Sequence, residues 1–293
     1  MSSPGQPLHP ALAGQPGHLL WRAHARVAAT TEEEQRAGVD PHAVAVLVAL
    51  PEHGASQQEL ADTVGISRTT MVRVAAALVT QGLVQRERNA ADRRSYTLTR
   101  TEAGSRTVVA WQERAEAVQD SLAATLTSCE RGELISLLAR VARPEIAPDA
   151  PAPLREHLGF LIGRAHSHLH RQVLAALEPL DLEPRLLGTL TLLTATGPIT
   201  QSELARLLGL SGASVVQIAD DLESRGVVER RRDPTDRRTQ QLHLRPGAED
   251  TIATAHAVAN GCIGEQLADL SADDVARLVE LLNRFVTAPA SDS

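Results

Sequence analysis

The sequence repeats itself, and the repeat decides what the chain can fold into. Shifted by 144 positions, residues 57–98 lie over 201–242 without a gap, and 17 of the 42 pairs are identical. They include Gln57/Gln201, Glu59/Glu203, Leu60/Leu204, Gly65/Gly209, Ser67/Ser211, Leu78/Leu222, Gly82/Gly226, Arg86/Arg230 and the triplet Asp92-Arg93-Arg94/Asp236-Arg237-Arg238. Upstream, Arg22-Ala23-His24 is answered by Arg164-Ala165-His166. A unit of about 140 residues is a whole domain, because solenoid repeats run about 20–50. The expected organisation is one domain over 1–143, a linker over 144–153 and a second domain over 154–293. Four prolines between Arg143 and Pro153 read as a semi-rigid extended connection of about 3.1 Å per residue.

Within each copy the punctuation is helical. Ser56-Gln57-Gln58-Glu59 has the pattern of a capping box, and Thr200-Gln201-Ser202-Glu203 repeats it. Each opens a helix of about two turns that stops at Gly65 or Gly209, and a serine N-cap, Ser67 or Ser211, starts the next helix. Helix, short glycine turn, helix is the helix-turn-helix pattern. In the second helix Met71, Val72, Ala75, Leu78 and Val79 are expected to face inward. That leaves Thr69, Thr70 and Arg73 outward, with Arg68 in the first turn. Gly82 and Gly226 end these helices. Residues 84–88 alternate as a strand, 89–92 turn and 94–98 return, which makes a β-hairpin with an arginine-rich tip. Helical patterns surround this core at about 17–37, 41–50, 102–126 and 130–142, and again at 154–178, 184–195, 248–268 and 272–286. The fold class is mainly α: a duplicated winged helix-turn-helix, each copy with a helical frame and a short hairpin wing.

This order of elements resembles the MarR family of bacterial transcriptional regulators. So does the segment from Ser67 to Gly104, with its wing Asp92-Arg93-Arg94-Ser95 followed by Leu98-Thr99-Arg100-Thr101-Glu102-Ala103-Gly104. The likeness covers both copies. The second departs from it at Leu242-His243-Leu244-Arg245-Pro246-Gly247, where the family's Leu-Thr-x-x-Gly is rewritten. The resemblance implies a regulator that binds double-stranded DNA and acts as a repressor. Family members pair two such units through their terminal helices, so two units on one chain imply a monomeric pseudo-dimer. It also implies an effector pocket between frame and winged helix.

The chain has 29 basic residues, all arginine, and a formal charge of −7, so positive charge for DNA must be local. Seven arginines face two acids between Gly65 and Arg100, whereas seven face six acids between Gly209 and Arg245. The first winged helix should therefore grip phosphate harder. Candidate DNA-contacting residues are Arg68, Thr69, Thr70, Arg73, Arg86, Arg93 and Arg94 in the first copy, and Ser211, Ser214, Gln217, Arg237 and Arg238 in the second. Arginine favours guanine and glutamine adenine, so the expected operator has two unlike half-sites about one helical turn apart. Two alternatives stay open. In one, only the first copy reads DNA and the acidic second copy is a sensor or interaction half. In the other, whole chains pair and present four winged helices.

For the effector, both tryptophans fall in the first copy, Trp21 and Trp111, and their repeat positions are Gly163 and Ala255. A pocket filled in one copy and open in the other would place Trp21, His24 and Trp111 around the first, and Gly163, His166 and Ala255 around the second. A small, mostly apolar or anionic molecule suits it. His166, His168 and His170 have no cysteine or clear carboxylate to complete a metal set, so no metal and no cofactor is expected. Cys129 and Cys262 build no disulfide framework and read as small buried hydrophobes, which suits the cytoplasm. No run of 18 apolar residues predicts a membrane span, and no nucleophile-elbow, phosphate-loop, dinucleotide or zinc-protease motif predicts an enzyme.

Overall fold

In the computed structural model, residues 8–88, 96–232 and 240–287 are described. The first copy contains α1 (Pro10–Ala13), α2 (Pro16–Arg36), α3 (Pro41–Ala49), β1 (Ala55–Ser56), α4 (Gln57–Val64), α5 (Arg68–Thr80), β2 (Val84–Arg88), β3 (Tyr96–Arg100), α6 (Glu102–Leu122) and α7 (Ser128–Ala142). The second repeats the order with α8 (Ala152–Arg155), α9 (Leu158–Leu177), α10 (Pro184–Thr196), β4 (Ile199–Thr200), α11 (Gln201–Leu208), α12 (Gly212–Ser224), β5 (Val228–Arg232), β6 (Gln240–Leu244), α13 (Ala248–Gln266) and α14 (Ala272–Thr287). Each wing is a three-stranded antiparallel sheet, β1-β3-β2 or β4-β6-β5, with Val84 opposite Arg100 and Val228 opposite Leu244. The rewritten end of the second wing still completes β6. Its cost falls on the next helix: α6 has Thr101 as a side-chain cap, whereas α13 starts from Gly247 with none.

The sequence copies and the compact bodies do not coincide. One body takes residues 23–165, and the other takes 1–22 together with 166–293. In the first, Val46, Leu47, Leu50, Leu60, Met71, Val74, Leu78 and Leu98 form a core that also takes in Leu154 of α8. In the second, Leu186, Leu190, Leu204, Val215, Leu222, Leu242 and Ile252 form a core completed by Leu12 of α1. Leu12 and Leu154 are repeat equivalents, so each copy lends its leading segment to the core built on the other copy's winged helix.

The connection over 144–153 is not extended throughout. Arg143–Glu145 is a turn of 3₁₀ helix and α8 begins at Ala152, with Pro144 and Pro153 in the first turn of each. Proline is pre-organised for that position and loses no hydrogen bond there. The inward face of α5 also differs from the periodic expectation. Met71, Val74, Ala75 and Leu78 are buried at helical spacing, while Val72 and Val79 are 58% and 40% exposed.

Candidate nucleic-acid interface

In the 23–165 body, Ser56 and Glu59 complete both halves of the capping box. The chain then turns through Gly65 at φ 75° into α5. Ser67 Oγ accepts from the Thr70 amide at 3.0 Å and lies 2.9 Å from the Thr70 hydroxyl. In the other body Thr200 caps α11, but Glu203 pairs with Arg206 instead of closing the box. Gly209 turns at φ 67°, and Ser211 caps α12 with its hydroxyl 2.8 Å from that of Ser214. Thr70, Ser211 and Ser214, all expected at DNA, are thus engaged in fixing the helix starts.

Among the outward residues of α5, Arg68, Thr69 and Arg73 are exposed; on α12, Gly212, Ala213 and Gln217 are. Arg73 is held at 2.9 Å by Asp40, the N-cap of α3. Burial alone would raise the Asp40 carboxyl, but Arg73 and the His42 amide outweigh it and hold it below the usual range. Arg86 lies 3.8 Å above the Tyr96 ring. Its repeat partner Arg230 pairs with Asp220 at 2.5 Å and with Glu223. Asp221 pairs with Arg185 at 2.5 Å and Arg225 at 2.8 Å, and Glu229 pairs with Arg231. Arg100 turns inward and donates to the Leu47 carbonyl at 2.7 Å and to that of Leu50, so it belongs to the scaffold. Arg93, Arg94, Arg237 and Arg238 lie outside the described residues.

The Arg-Ala-His echo finds a structural role. Arg164 Nη2 donates at 3.0 Å to the carbonyls of Asp62 and Thr63, at the end of α4. Arg22 Nη1 donates at 2.5 Å to the carbonyl of Leu208, at the end of α11. These last carbonyls have no partner within their own helix. A Cβ on Gly65 or Gly209 would fall on the arriving guanidinium, a side-chain end that would have to swing aside, while the positive φ is what requires glycine at both positions. The echo carries no sign of this role in the sequence, because the partners of each arginine lie in the other copy.

In the turn of α2 that leads to Arg22, His18 and Trp21 line a cavity of about 210 Å³ in the body that holds 1–22 and 166–293, together with His166, His170, Arg185 and His256. The His18 and Trp21 rings are 5.4 Å apart. His18 Nε2 is buried and has no hydrogen-bond partner among the described residues. Burial, then the neighbouring Arg22 charge, push the imidazole down to about 3, so it is neutral near pH 7. Of the expected effector residues, Trp21 and His166 are brought together here. Ala255 is fully buried in the core beside this cavity without lining it. His24, Trp111 and Gly163 belong to the other body, where Trp111 packs against the core. His168 is buried with its Nε2 2.9 Å from Gln266 Oε1, apart from the stacked His166–His170 pair. Among the described residues no group of His, Cys, Asp and Glu is arranged to hold a metal, and no helix is long and apolar enough to cross a membrane. Cys129 is exposed and Cys262 half-buried, so neither is the fully buried hydrophobe expected.

The MarR family profile matches residues 37–95 and 180–239, one stretch in each copy. The transcriptional regulatory protein assigned to the hcr operon of Thauera aromatica is 31% identical over 157 residues, spanning 51% of this chain and 90% of that protein. A cysteine-to-serine mutant of MarR from E. coli, crystallised with operator DNA, is 29% identical, covering 43% of this chain and 90% of its own with a TM-score of 0.40. CouR from Rhodococcus jostii, crystallised with p-coumaroyl-CoA, is 26% identical, covering 44% and 92% with a TM-score of 0.41. With its family profile matched twice and nine-tenths of a transcriptional regulatory relative aligned at 31% identity, the chain belongs to the MarR family of DNA-binding transcriptional regulators and carries two of its units in tandem.

Proposed function

We propose that this protein is a ligand-responsive repressor that binds one asymmetric operator as a single-chain pseudo-dimer. The observation that carries the reading is the contrast between α5 and α12. Both are capped by serine and both present an outward N-terminal face, yet Arg68, Thr69 and Arg73 on one answer to Gly212, Ala213 and Gln217 on the other. Two intact recognition helices of unlike chemistry suit two unlike half-sites. Phosphate contacts from Arg86 and the wing arginines would supply the sequence-independent part of the affinity.

The cavity beside His18 is the natural seat for an effector. Its walls combine apolar side chains with the unpartnered His18 Nε2, which suits a small, mostly apolar molecule with one hydrogen-bonding group. Helix α2 then supplies the response. It carries His18 and Trp21 in the cavity wall and Arg22 on the carbonyl that ends α11, so an occupant that displaces this turn also disturbs the helix-turn-helix. A tenfold loss of operator affinity requires only about 1.4 kcal/mol.

The test is selection of duplex DNA from a random pool at two salt concentrations, with the mass of the free and DNA-bound protein measured in solution. Two unlike half-sites bound by one chain is the expected result. A perfect palindrome, or two chains per site, would overturn the asymmetric pseudo-dimer, and a reporter gene activated through the selected site would overturn repression.

A further inference from the structure

Val72 and Val216 are identical residues at the same place in the two copies, and both project into solvent, at 58% and 42% exposure. Their neighbours do not: Met71, Val74, Val215 and Ile218 are at most 4% exposed. A valine left about half exposed in mid-helix buries little apolar surface and is a poorer helix former than alanine, so the fold alone gives weak reason for either. Each stands in the second turn of its helix-turn-helix recognition helix, between Thr69 and Arg73 in α5 and between Ala213 and Gln217 in α12. Thr70 and Ser214, two residues earlier and so about half a turn away, are committed to the caps. The face left to meet a base pair is therefore part polar and part apolar.

In the major groove the one apolar group that a base pair offers at its edge is the 5-methyl of thymine. We propose that Val72 and Val216 each read a thymine by packing their γ-methyls on that 5-methyl, so that the two half-sites, unlike elsewhere, share a thymine at the equivalent position. Ala213 beside Val216 extends the apolar face of α12, which makes the second half-site the more dependent on methyl contacts. The inference rests on the reading of both helices as DNA readers and adds the base that they have in common.

The experiment uses the full chain and the duplex enriched from the random pool, with each thymine replaced singly by deoxyuridine, which lacks only the methyl. Affinities are measured for the native protein, Val72→Ala, Val216→Ala and, as a control in the last turn of α5, Val79→Ala. The expected result is one thymine per half-site whose demethylation weakens native binding about fourfold, the worth of one buried methyl. That loss should vanish in the matching valine variant and persist in the control. A loss that survives undiminished in Val72→Ala and Val216→Ala, or no sensitive thymine in an otherwise enriched site, overturns the assignment while leaving the regulator intact. Coupling at Val72 alone overturns it for Val216. Failure to enrich any sequence overturns the two-headed reading itself, and the assignment with it.

Discussion

Arg86 and Arg230 occupy the same position in the two copies and are held in opposite ways. Arg86 lies across the Tyr96 ring with its strand exposed. Arg230 is drawn back between Asp220 and Glu223, where the first copy has Ala76 and Val79. The same contrast extends to Asp221, which is clasped by Arg185 and Arg225 and whose counterpart is Ala77. Counting charges along the sequence makes the first copy strongly positive and the second nearly neutral. The structure moves both: Arg100 is spent on backbone carbonyls in the first, and the acids of the second are matched locally by arginine. What distinguishes the copies is which arginines remain able to reach a phosphate, a property of pairing geometry that a charge count does not contain.

The largest effect should come at the bases. Arg73→Ala should weaken operator binding roughly 5- to 150-fold, the worth of a bidentate arginine–guanine contact of about 1–3 kcal/mol. Its stability should hardly change, because the Arg73–Asp40 pair is half-exposed and such pairs contribute about 0–1 kcal/mol. Gln217→Ala should cost a similar factor through the second half-site. Titration of labelled operator checks both, and native affinity in Gln217→Ala would reduce the second copy to a half that does not read DNA.

Next comes the reciprocal support of the two helix-turn-helix motifs. Gly65→Ala and Gly209→Ala should each destabilise by about 1–3 kcal/mol in urea unfolding, since alanine is strained at positive φ and would also meet the guanidinium. Arg22→Ala and Arg164→Ala should each cost about 1–2 kcal/mol through the carbonyls left without a charged donor. The double variant Arg22→Ala/Gly209→Ala should lose less than the sum, because one change removes the clash that the other creates. Full additivity would separate the glycine from the arginine and break the proposed pairing.

The local architecture was legible because local chemistry writes it. Ser56, Ser67 and Ser211 cap as their positions require, and Gly65 and Gly209 end helices where only glycine turns without strain. The second capping box failed by half, since Arg206, three residues on, is a stronger partner for Glu203 than a backbone amide. Val72 and Val79 satisfy a loose inward periodicity only because an apolar residue next to a buried stripe does so by default. The stripe itself, Met71-Val74-Ala75-Leu78, needs neither. The exchange of leading segments was not legible at all. Leu12 and Leu154 are interchangeable by any local criterion, and nothing in either sequence says whose core it fills. Hence Trp21 and Trp111, which neighbour each other in the reading of one copy, stand in different bodies.

Each body also holds one histidine neutral by burial, His18 at about 3 and His157 at about 4. Both values are depressed below the unfolded 6.5, so between those limits the unfolded chain binds more protons and stability rises with pH. The contribution is complete above about pH 6.5 and is lost as pH falls, by up to about 1.4 kcal/mol per pH unit for each group. Urea midpoints measured from pH 7 to pH 4 should show a shallower acid loss in His18→Gln than in the native chain. An unchanged slope would mean that His18 titrates normally and that the cavity is wet.

The smallest expected effect tests the opening contrast directly. Asp220→Asn removes one partner of Arg230 and leaves Glu223, so stability should change by less than about 1 kcal/mol, as for other exposed pairs. Asp220→Asn/Glu223→Gln removes both acids and releases Arg230 from its ion pairs. If the acids restrain a phosphate-binding arginine, operator affinity should rise a few-fold at low salt. The slope of log affinity against log salt should then steepen by about one, the mark of one more neutralised phosphate. Arg86→Ala supplies the converse, with a slope shallower by about one. An unaltered slope in the double variant would tie Arg230 to the packing of its own hairpin. The two copies would then differ in kind at this position, the first using its arginine on DNA and the second on itself.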